Sequence, residues 1–220
     1  MAIPCGPPRS PDGGLMNAMP RIYVVDDDEP LRVSLKMLLH ADHDVTCFAT
    51  AQHFLDVAAA LLPGCLILDV RMPELDGLEL QRRLIERDLY FPIVMMTGLG
   101  EVHIAVEAMK AGAVDFIEKP FTRKDILECI RLAQEHLAPP HAHQNEAAIA
   151  NTRLALLSAR ELEVLGGLVA GLPNKTIAYD LGLSARTVEL HRARIMSKMQ
   201  ARSFSALVWR ALAAGVPKWI

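Results

Sequence analysis

No stretch of the 220 residues stays apolar over the ~18–20 positions needed to cross a bilayer, so no membrane-spanning helix is expected. The opening run MAIPCGPPRSPDGGLMNAMP lacks a basic segment followed by an apolar one, so export is not expected either. Cysteine is scarce. Cys5, Cys47, Cys65 and Cys129 lie far apart and form no CxxC, which argues against a zinc site and against a disulfide framework. Three of them sit in or beside apolar runs and read as small core residues, and the expected compartment is the reducing cytoplasm. Aromatic residues make up only 5% of the chain, so its 51% apolar share is mainly aliphatic. That share suffices for a packed core and is too high for a disordered chain. Net charge, only −3 overall, is unevenly spread. Residues 1–150 hold 13 Lys/Arg against 22 Asp/Glu, a balance of −9, whereas residues 151–220 hold 10 against 4, a balance of +6. At about 100–200 residues per domain the length admits one domain or two, and an acidic body followed by a basic segment points to two jobs, the second involving a polyanion.

Residues 1–20 are rich in Gly and Pro without apolar periodicity and are expected to be a disordered leader. Short apolar runs then alternate with amphipathic stretches. Ile22 to Val25 stops at three aspartates and is followed by Leu31, Leu35, Leu38 and Leu39 at helical spacing. Val45 to Phe48 precedes a helical stretch around Phe54 to Leu62. Cys65 to Leu68 ends at Asp69, Ile93 to Met96 ends at Thr97, and Val102, Ala105, Val106 and Met109 form one helix face. Val114 to Ile117 ends at Lys119-Pro120, and Ile126, Ile130, Ala133 and Leu137 line a further helix. Five such strand–helix units predict an α/β domain, a five-stranded parallel sheet covered on both faces. Residues 138–153 break the pattern with Pro139-Pro140 and read as a linker that turns helical near its end; His141 and His143 in it read as solvated.

In sheets of this kind the binding crevice lies beyond the carboxyl ends of the strands. Asp26, Asp27, Asp69, Thr97 and Lys119 stand there. Three carboxylates at one edge repel one another unless a cation neutralises them, and a hard divalent ion such as Mg²⁺ suits oxygen donors of this type. One carboxylate can then act as nucleophile toward a phosphoryl group. The three phosphoryl oxygens need a cation, an ammonium, and a hydroxyl with backbone N–H groups; Asp69, Lys119 and Thr97 match the nucleophile, the ammonium and the hydroxyl. A phosphatase or dehalogenase with an aspartate nucleophile is the competing reading, but such enzymes carry a D-x-D pair, and here Val70 and Arg71 follow Asp69.

The segments VVDDDE, LILDVRMPELDG, IVMMTG and KAGAVDFIEKPF resemble a two-component receiver domain over about residues 21–137, and the spacings of 28 residues from Asp69 to Thr97 and 22 from Thr97 to Lys119 suit that family. The resemblance implies a flavodoxin-like sheet in which Asp69 accepts phosphate from a sensor histidine kinase. It also implies Mg²⁺ held directly by Asp27, Asp69 and the Arg71 backbone carbonyl, and by Asp26 through water. Thr97 and Phe116 would form the switch pair, and the Lys119-Pro120 bond would be cis. Asp28 is left as a cap for the first helix, and His103 as a solvated surface residue.

From residue 157 onward the pattern is helical only. Ser158 and Glu161 form a capping box ahead of Leu162, Leu165 and Val169, and Gly171 and Pro173 end that helix. Asn174 is expected to cap the next, which carries Ile177, Ala178 and Leu181. Gly182 makes a tight turn, Ser184 caps a longer helix to about Met199, and Phe204, Leu207, Val208, Ala211 and Leu212 line a final one. Two helices joined by a short Gly-containing turn, the second of them basic, form a helix-turn-helix pattern. On that second helix Val188, His191 and Ile195 point inward, with His191 expected as a hydrogen-bonded core residue. Arg186, Glu189, Leu190, Ala193 and Ser197 lie about half a turn away, and Thr187 belongs with them at the helix start. Leu190 suits a thymine methyl, Ala193 close approach, and Glu189 a cytosine amino group. Arg192, Arg194, Lys198 and Lys175 flank this face and suit phosphates.

The segment LSARELEVLGGLVAGLPNKTIAYDLGLSARTVELHRARIMSKMQARSFSALVWRA resembles the LuxR-type helix-turn-helix, in the FixJ branch of response regulators, with the domain at residues 154–220. The resemblance implies a transcription regulator whose phosphorylation controls dimerisation and binding to promoter DNA, with RNA polymerase a further candidate partner. By the same resemblance, activated receivers pair through the face carrying Ile104 and Ala108, expected near the surface. A DNA-binding regulator with a phosphate-independent receiver is the alternative.

Overall fold

The five apolar runs are strands because each is too short for a stable helix and is rich in aliphatic and β-branched residues. In the computed structural model, which describes residues 19–98, 102–135, 137, 144–201 and 203–216, they are β1 (Arg21–Val25), β2 (Asp44–Phe48), β3 (Cys65–Asp69), β4 (Ile93–Thr97) and β5 (Asp115–Glu118). They form one parallel sheet in the order β2-β1-β3-β4-β5. The intervening helices are α1 (Glu29–Leu39), α2 (Ala51–Val57), α3 (Gly77–Glu86), α4 (Val102–Lys110) and α5 (Arg123–Glu135). The second helical stretch differs from expectation: it begins at Ala51, capped by Thr50, and after Val57 tightens to a 3₁₀ turn over Ala58–Ala60.

Side chains alternate between two apolar layers, as the period of two along a strand requires. Ile22, Val24, Cys65, Ile67, Val94, Met96 and Ile117 face α1 and α5, where Leu35, Leu39, Ile126 and Ile130 meet them. Tyr23, Val25, Leu66, Leu68, Ile93 and Met95 face the other side, against Phe54, Leu80, Leu84, Val106 and Met109. The few aromatic residues are concentrated there: Tyr23, Phe48, Phe54 and Phe91 form a tilted and edge-on cluster with ring centroids 5.2–6.4 Å apart, geometries that favour aromatic pairs.

The second unit contains α6 (Gln144–Leu154), α7 (Ala159–Val169), α8 (Asn174–Asp180), α9 (Ala185–Lys198) and α10 (Phe204–Ala213). The expected linker is therefore helical from Gln144, and its C-terminal half packs on the second unit: Ala150 is buried and Arg153 donates to Gln200 at 2.6 Å. Pro173, rather than Asn174, is the N-cap of α8, its carbonyl accepting from Thr176 and Ile177; Asn174 is already inside the helix. Leader residues 1–18, His141 and His143 lie outside the described residues. No helix among the described residues is long and apolar enough to cross a membrane.

The α10 helix serves both units. Leu207 and Ala211 lie in the core of the helical domain, whereas Val208 is fully buried in the sheet-side core with Phe204, Trp209 and Leu212 packed beside it. This stripe at i, i+4 and i+8 (Phe204, Val208, Leu212) lies against the layer containing α4. Ala108 is accordingly buried, not near the surface, and Ile104 is half-buried. The turn after α7 also approaches α4: a side chain on Gly171, whose φ is +77°, would come within 2.7 Å of the His103 backbone.

Within the helical domain the capping box forms, Ser158 accepting from the Glu161 amide at 3.3 Å and Glu161 from the Ser158 amide at 2.8 Å. Glu161 also accepts from Lys198 at 2.7 Å and is almost fully buried. These hydrogen bonds, Lys198 foremost, hold its carboxyl at about 2, below the ordinary 4.5. The stabilisation is therefore complete above about pH 4.5 and is lost as pH falls toward 2. Glu161→Gln should cost about 1–2 kcal/mol near neutrality. Both tryptophans, Trp209 and Trp219, lie in this part of the chain, so tryptophan fluorescence during unfolding reads it. The wild-type advantage should shrink toward pH 2; a gap independent of pH contradicts the assignment.

Candidate functional site

The carboxyl edge of the sheet brings together the residues singled out by the sequence. Asp26 follows β1, Asp69 and Thr97 end β3 and β4, and Lys119 follows β5; all but Lys119 in this group are buried. Lys119 Nζ donates to Asp26 Oδ2 at 2.8 Å and to Asp69 Oδ1 at 2.7 Å. Carboxylate oxygens of Asp26, Asp27 and Asp69 lie within 4.8 Å of one another, with Asp27 exposed to solvent. The backbone ladder carries this constellation: Val70 N–H donates to the Met96 carbonyl at 3.0 Å and Lys119 N–H to the Thr97 carbonyl at 2.8 Å.

The electrostatics follow from crowding. Burial raises the Asp69 pKa and the neighbouring Asp26 and Asp27 charges add to it, while the hydrogen bond and charge of Lys119 pull it back. For Lys119, burial works against the ammonium, but the hydrogen bonds and charges of Asp26 and Asp69 outweigh it and raise its pKa. The ammonium thus stays charged between two acids.

Two supporting residues were not singled out by the sequence reading. Arg32, on α1, donates to the Asp26 backbone carbonyl at 2.7 Å, and its place six residues after Asp26, facing back along the first helix, was the available signal. Gly77, first residue of α3, lies so close to β3 that a Cβ there would clash with the Asp69 carbonyl oxygen. Its N–H donates to the Val70 carbonyl at 2.9 Å. Asp28 caps α1, accepting from the Leu31 amide at 3.3 Å, and its own amide donates to Asp26 Oδ1 at 2.8 Å. The Lys119-Pro120 bond is cis. Arg71 is exposed just beyond β3, and Phe116 is half-buried on β5.

On α9 the inward and outward faces separate largely as the spacing predicts. Val188 and Ile195 are buried, while Arg186, Glu189, Leu190, Ala193, Arg194, Ser197 and Lys198 are exposed, Leu190 by 54%. Thr187 sits in the first turn, its amide donating to the capping Ser184 hydroxyl at 3.1 Å, and Lys175 is exposed on α8. Three positions differ from expectation. His191 is half-buried, and its Nδ1 has no hydrogen-bond partner among the described residues. The Lys198 ammonium is engaged by Glu161 and by the Leu156 carbonyl at 3.2 Å, so the charge at this end of α9 ties down α7. Arg192 is half-buried with its guanidinium carbon 4.5 Å from the Phe204 ring centroid. A helical-wheel reading places Lys198 and Arg192 on the flank of the open face and does not show which flank neighbouring helices cover.

Comparisons with known proteins agree with both halves. A response regulator receiver domain model matches residues 22–131, and a model of the luxR family of bacterial regulatory proteins matches residues 155–211. The transcriptional regulatory protein FixJ of Rhizobium meliloti (strain 1021) is 49% identical over 195 residues, covering 88% of this chain and 96% of its own length. FixJ of Bradyrhizobium diazoefficiens is 48% identical over 202 residues, covering 91% and 98% respectively. The crystal structure of full-length FixJ from B. japonicum superposes with a TM-score of 0.55 at 47% identity, covering 91% of this chain and 100% of that one. With an acidic pocket at the edge of a five-stranded receiver sheet, a helix-turn-helix domain behind it and relatives matched over nearly their whole length, the chain belongs to the FixJ-like two-component response regulators, transcription regulators that join a receiver to a LuxR-type DNA-binding domain.

Proposed function

We propose that Asp69 is the phosphoacceptor of this response regulator and that its phosphorylation governs DNA binding by α9. The observation that carries the reading is the pocket itself, in which three acids converge and one ammonium spans Asp26 and Asp69. In the transfer, an Asp69 oxygen forms the new O–P bond as the P–N bond of a kinase phosphohistidine breaks. The imidazole departs with the electron pair and takes up a proton. Lys119 receives one phosphoryl oxygen and the Thr97 hydroxyl another. Three carboxylate oxygens within 4.8 Å, one side of them open at Asp27, fit a hard divalent cation. Asp26, Asp27, Asp69 and the Arg71 carbonyl would hold it. When bound, Mg²⁺ supplies charge neutralisation for the carboxylates and the incoming phosphoryl group.

Downstream of the pocket, Thr97 drawn toward the phosphoryl group leaves room for Phe116 to follow. That movement alters the surface on which Phe204, Val208 and Leu212 rest. Loosening α10 frees the output domain and uncovers the α4 side of the receiver for pairing with a second copy on paired DNA half-sites. The protein then acts in the cytoplasm, with a sensor histidine kinase upstream and RNA polymerase at the regulated promoter.

The first test concerns the acceptor. Asp69→Asn keeps the shape and removes the nucleophile, so acetyl phosphate with Mg²⁺ should label the wild type and not the variant. Lys119→Ala should retain Mg²⁺ binding yet accept phosphate poorly. Labelling of Asp69→Asn, or labelling of the wild type without a divalent ion, contradicts the reading.

The second test separates backbone contacts from base contacts. Removing the charge of Arg194 or Lys175 should weaken binding to all DNA sequences and flatten the log–log salt dependence by about one unit per lost contact. Changes at Glu189 or Leu190 should instead shift sequence preference, by about 1–3 kcal/mol per misread base pair. Equal losses on specific and random DNA for every variant would mean that another face of α9 reads the bases.

A further inference from the structure

The Phe204 ring has partners from both domains. On the receiver side Phe116 packs edge-on against it, with centroids 6.1 Å apart and ring planes at 82°. On the output side the Arg192 guanidinium carbon lies 4.5 Å from its centroid. The half-buried Phe204 packs against the sheet-side core and the helical core alike. Arg192 stands on α9 between exposed Glu189 and exposed Arg194, on the helix proposed to read DNA. Yet it is half-buried, and this desolvation lowers its pKa, with Glu189 partly offsetting the effect. Among the described residues no carbonyl or carboxylate hydrogen bond holds the guanidinium, so its attachment is to the negative face of the ring.

We propose that Phe204 relays the position of Phe116 to the DNA-reading helix by withholding Arg192 from DNA. The inference rests on the reading above, in which Phe116 follows the phosphorylation pocket and α9 faces DNA. While Phe116 abuts Phe204, the ring is fixed and its face stays available to the guanidinium. Once Phe116 turns away, the ring loses its neighbour across the domain boundary and the hold on Arg192 weakens. A DNA backbone phosphate, an anion matched to the planar guanidinium fork, then outcompetes a neutral ring. Arg192 is thereby a phosphate contact of the released state, and the switch adds a charge to the DNA surface as well as loosening a domain.

A mutant cycle on the full-length unphosphorylated protein tests this, read by fluorescence anisotropy on a random-sequence duplex of about 30 base pairs, because backbone contacts are independent of sequence. Phe116→Leu and Phe204→Leu should each tighten binding, with about three- to fivefold of the gain, the low end for one cation–π contact, due to Arg192, and steepen the salt slope by about one unit. In an Arg192→Gln background that share of each gain, with the added unit of salt slope, should vanish and leave only what the loosened domain contributes, and Phe204→Tyr, which keeps the ring, should show no gain. Gains and salt slopes of the same size with and without Arg192, or no gain on removing the aromatic ring, overturn the relay. Should Phe204→Leu fold poorly, the Phe116→Leu and Arg192→Gln pair alone decides it. The cycle uses no phosphoryl donor, so failure of Asp69 to accept phosphate is read in a separate assay and leaves this result intact.

Discussion

The structure turns on one crowded place, where the Lys119 ammonium sits between the Asp26 and Asp69 carboxylates at the end of a buried parallel sheet. Like charges this close are tolerable only with a cation among them, and removing one partner of such a buried set typically costs ~3–5 kcal/mol. That need dictates much of the surrounding architecture. Adjacent strands must end in register to deliver the acids and the lysine together, Arg32 braces the Asp26 backbone, and Gly77 leaves space beside the Asp69 carbonyl. The same crowding would make the site responsive under the proposed chemistry, because a phosphoryl group on Asp69 would change the charge that Lys119 must neutralise.

Packed side chains connect the sheet edge to the helical unit. Phe116 lies on β5, two residues before the β5 residue paired with Thr97, and on the face where α10 packs. The α10 helix is built for divided loyalty: Leu207 and Ala211 belong to the output core, while Val208 is buried only within the sheet-side core. Asp115 adds a polar contact across the same boundary. Burial raises its pKa, against the hydrogen bond from the Ser205 hydroxyl and that of the Phe116 amide. A helix shared in this way would let the rearrangement proposed near Phe116 alter how firmly the DNA-binding domain is held.

Much of this was legible in the sequence, for identifiable reasons. Four of the five apolar runs stop at charged or hydroxyl residues, all but Val45 to Phe48, so the chemistry gathered at the sheet edge was visible before any sheet was drawn. The capping box at Ser158 and Glu161 and the cap at Ser184 fixed the helix starts of the output domain. Contacts between distant parts of the chain were not legible. Helical spacing placed Lys198 and Arg192 beside the open face of α9, but Glu161 lies 37 residues from Lys198, and Phe204 belongs to another helix. Ala108 likewise reads as a surface residue of α4 until α10 is laid against that layer. Asn174 was a plausible cap by residue type; the carbonyl of Pro173 takes the bonds from the first turn instead.

The central claim is that the state of Asp69 sets how firmly α10 is held against the receiver. Amide hydrogen exchange of the full-length protein, with and without Mg²⁺ and beryllofluoride as the phosphoryl mimic, tests it most directly. The account predicts faster exchange along residues 204–212 of α10 when the mimic is bound, while the buried core of α9 around Val188 and Ile195 keeps its protection. Unchanged protection along α10, with the mimic demonstrably seated on Asp69, would contradict it.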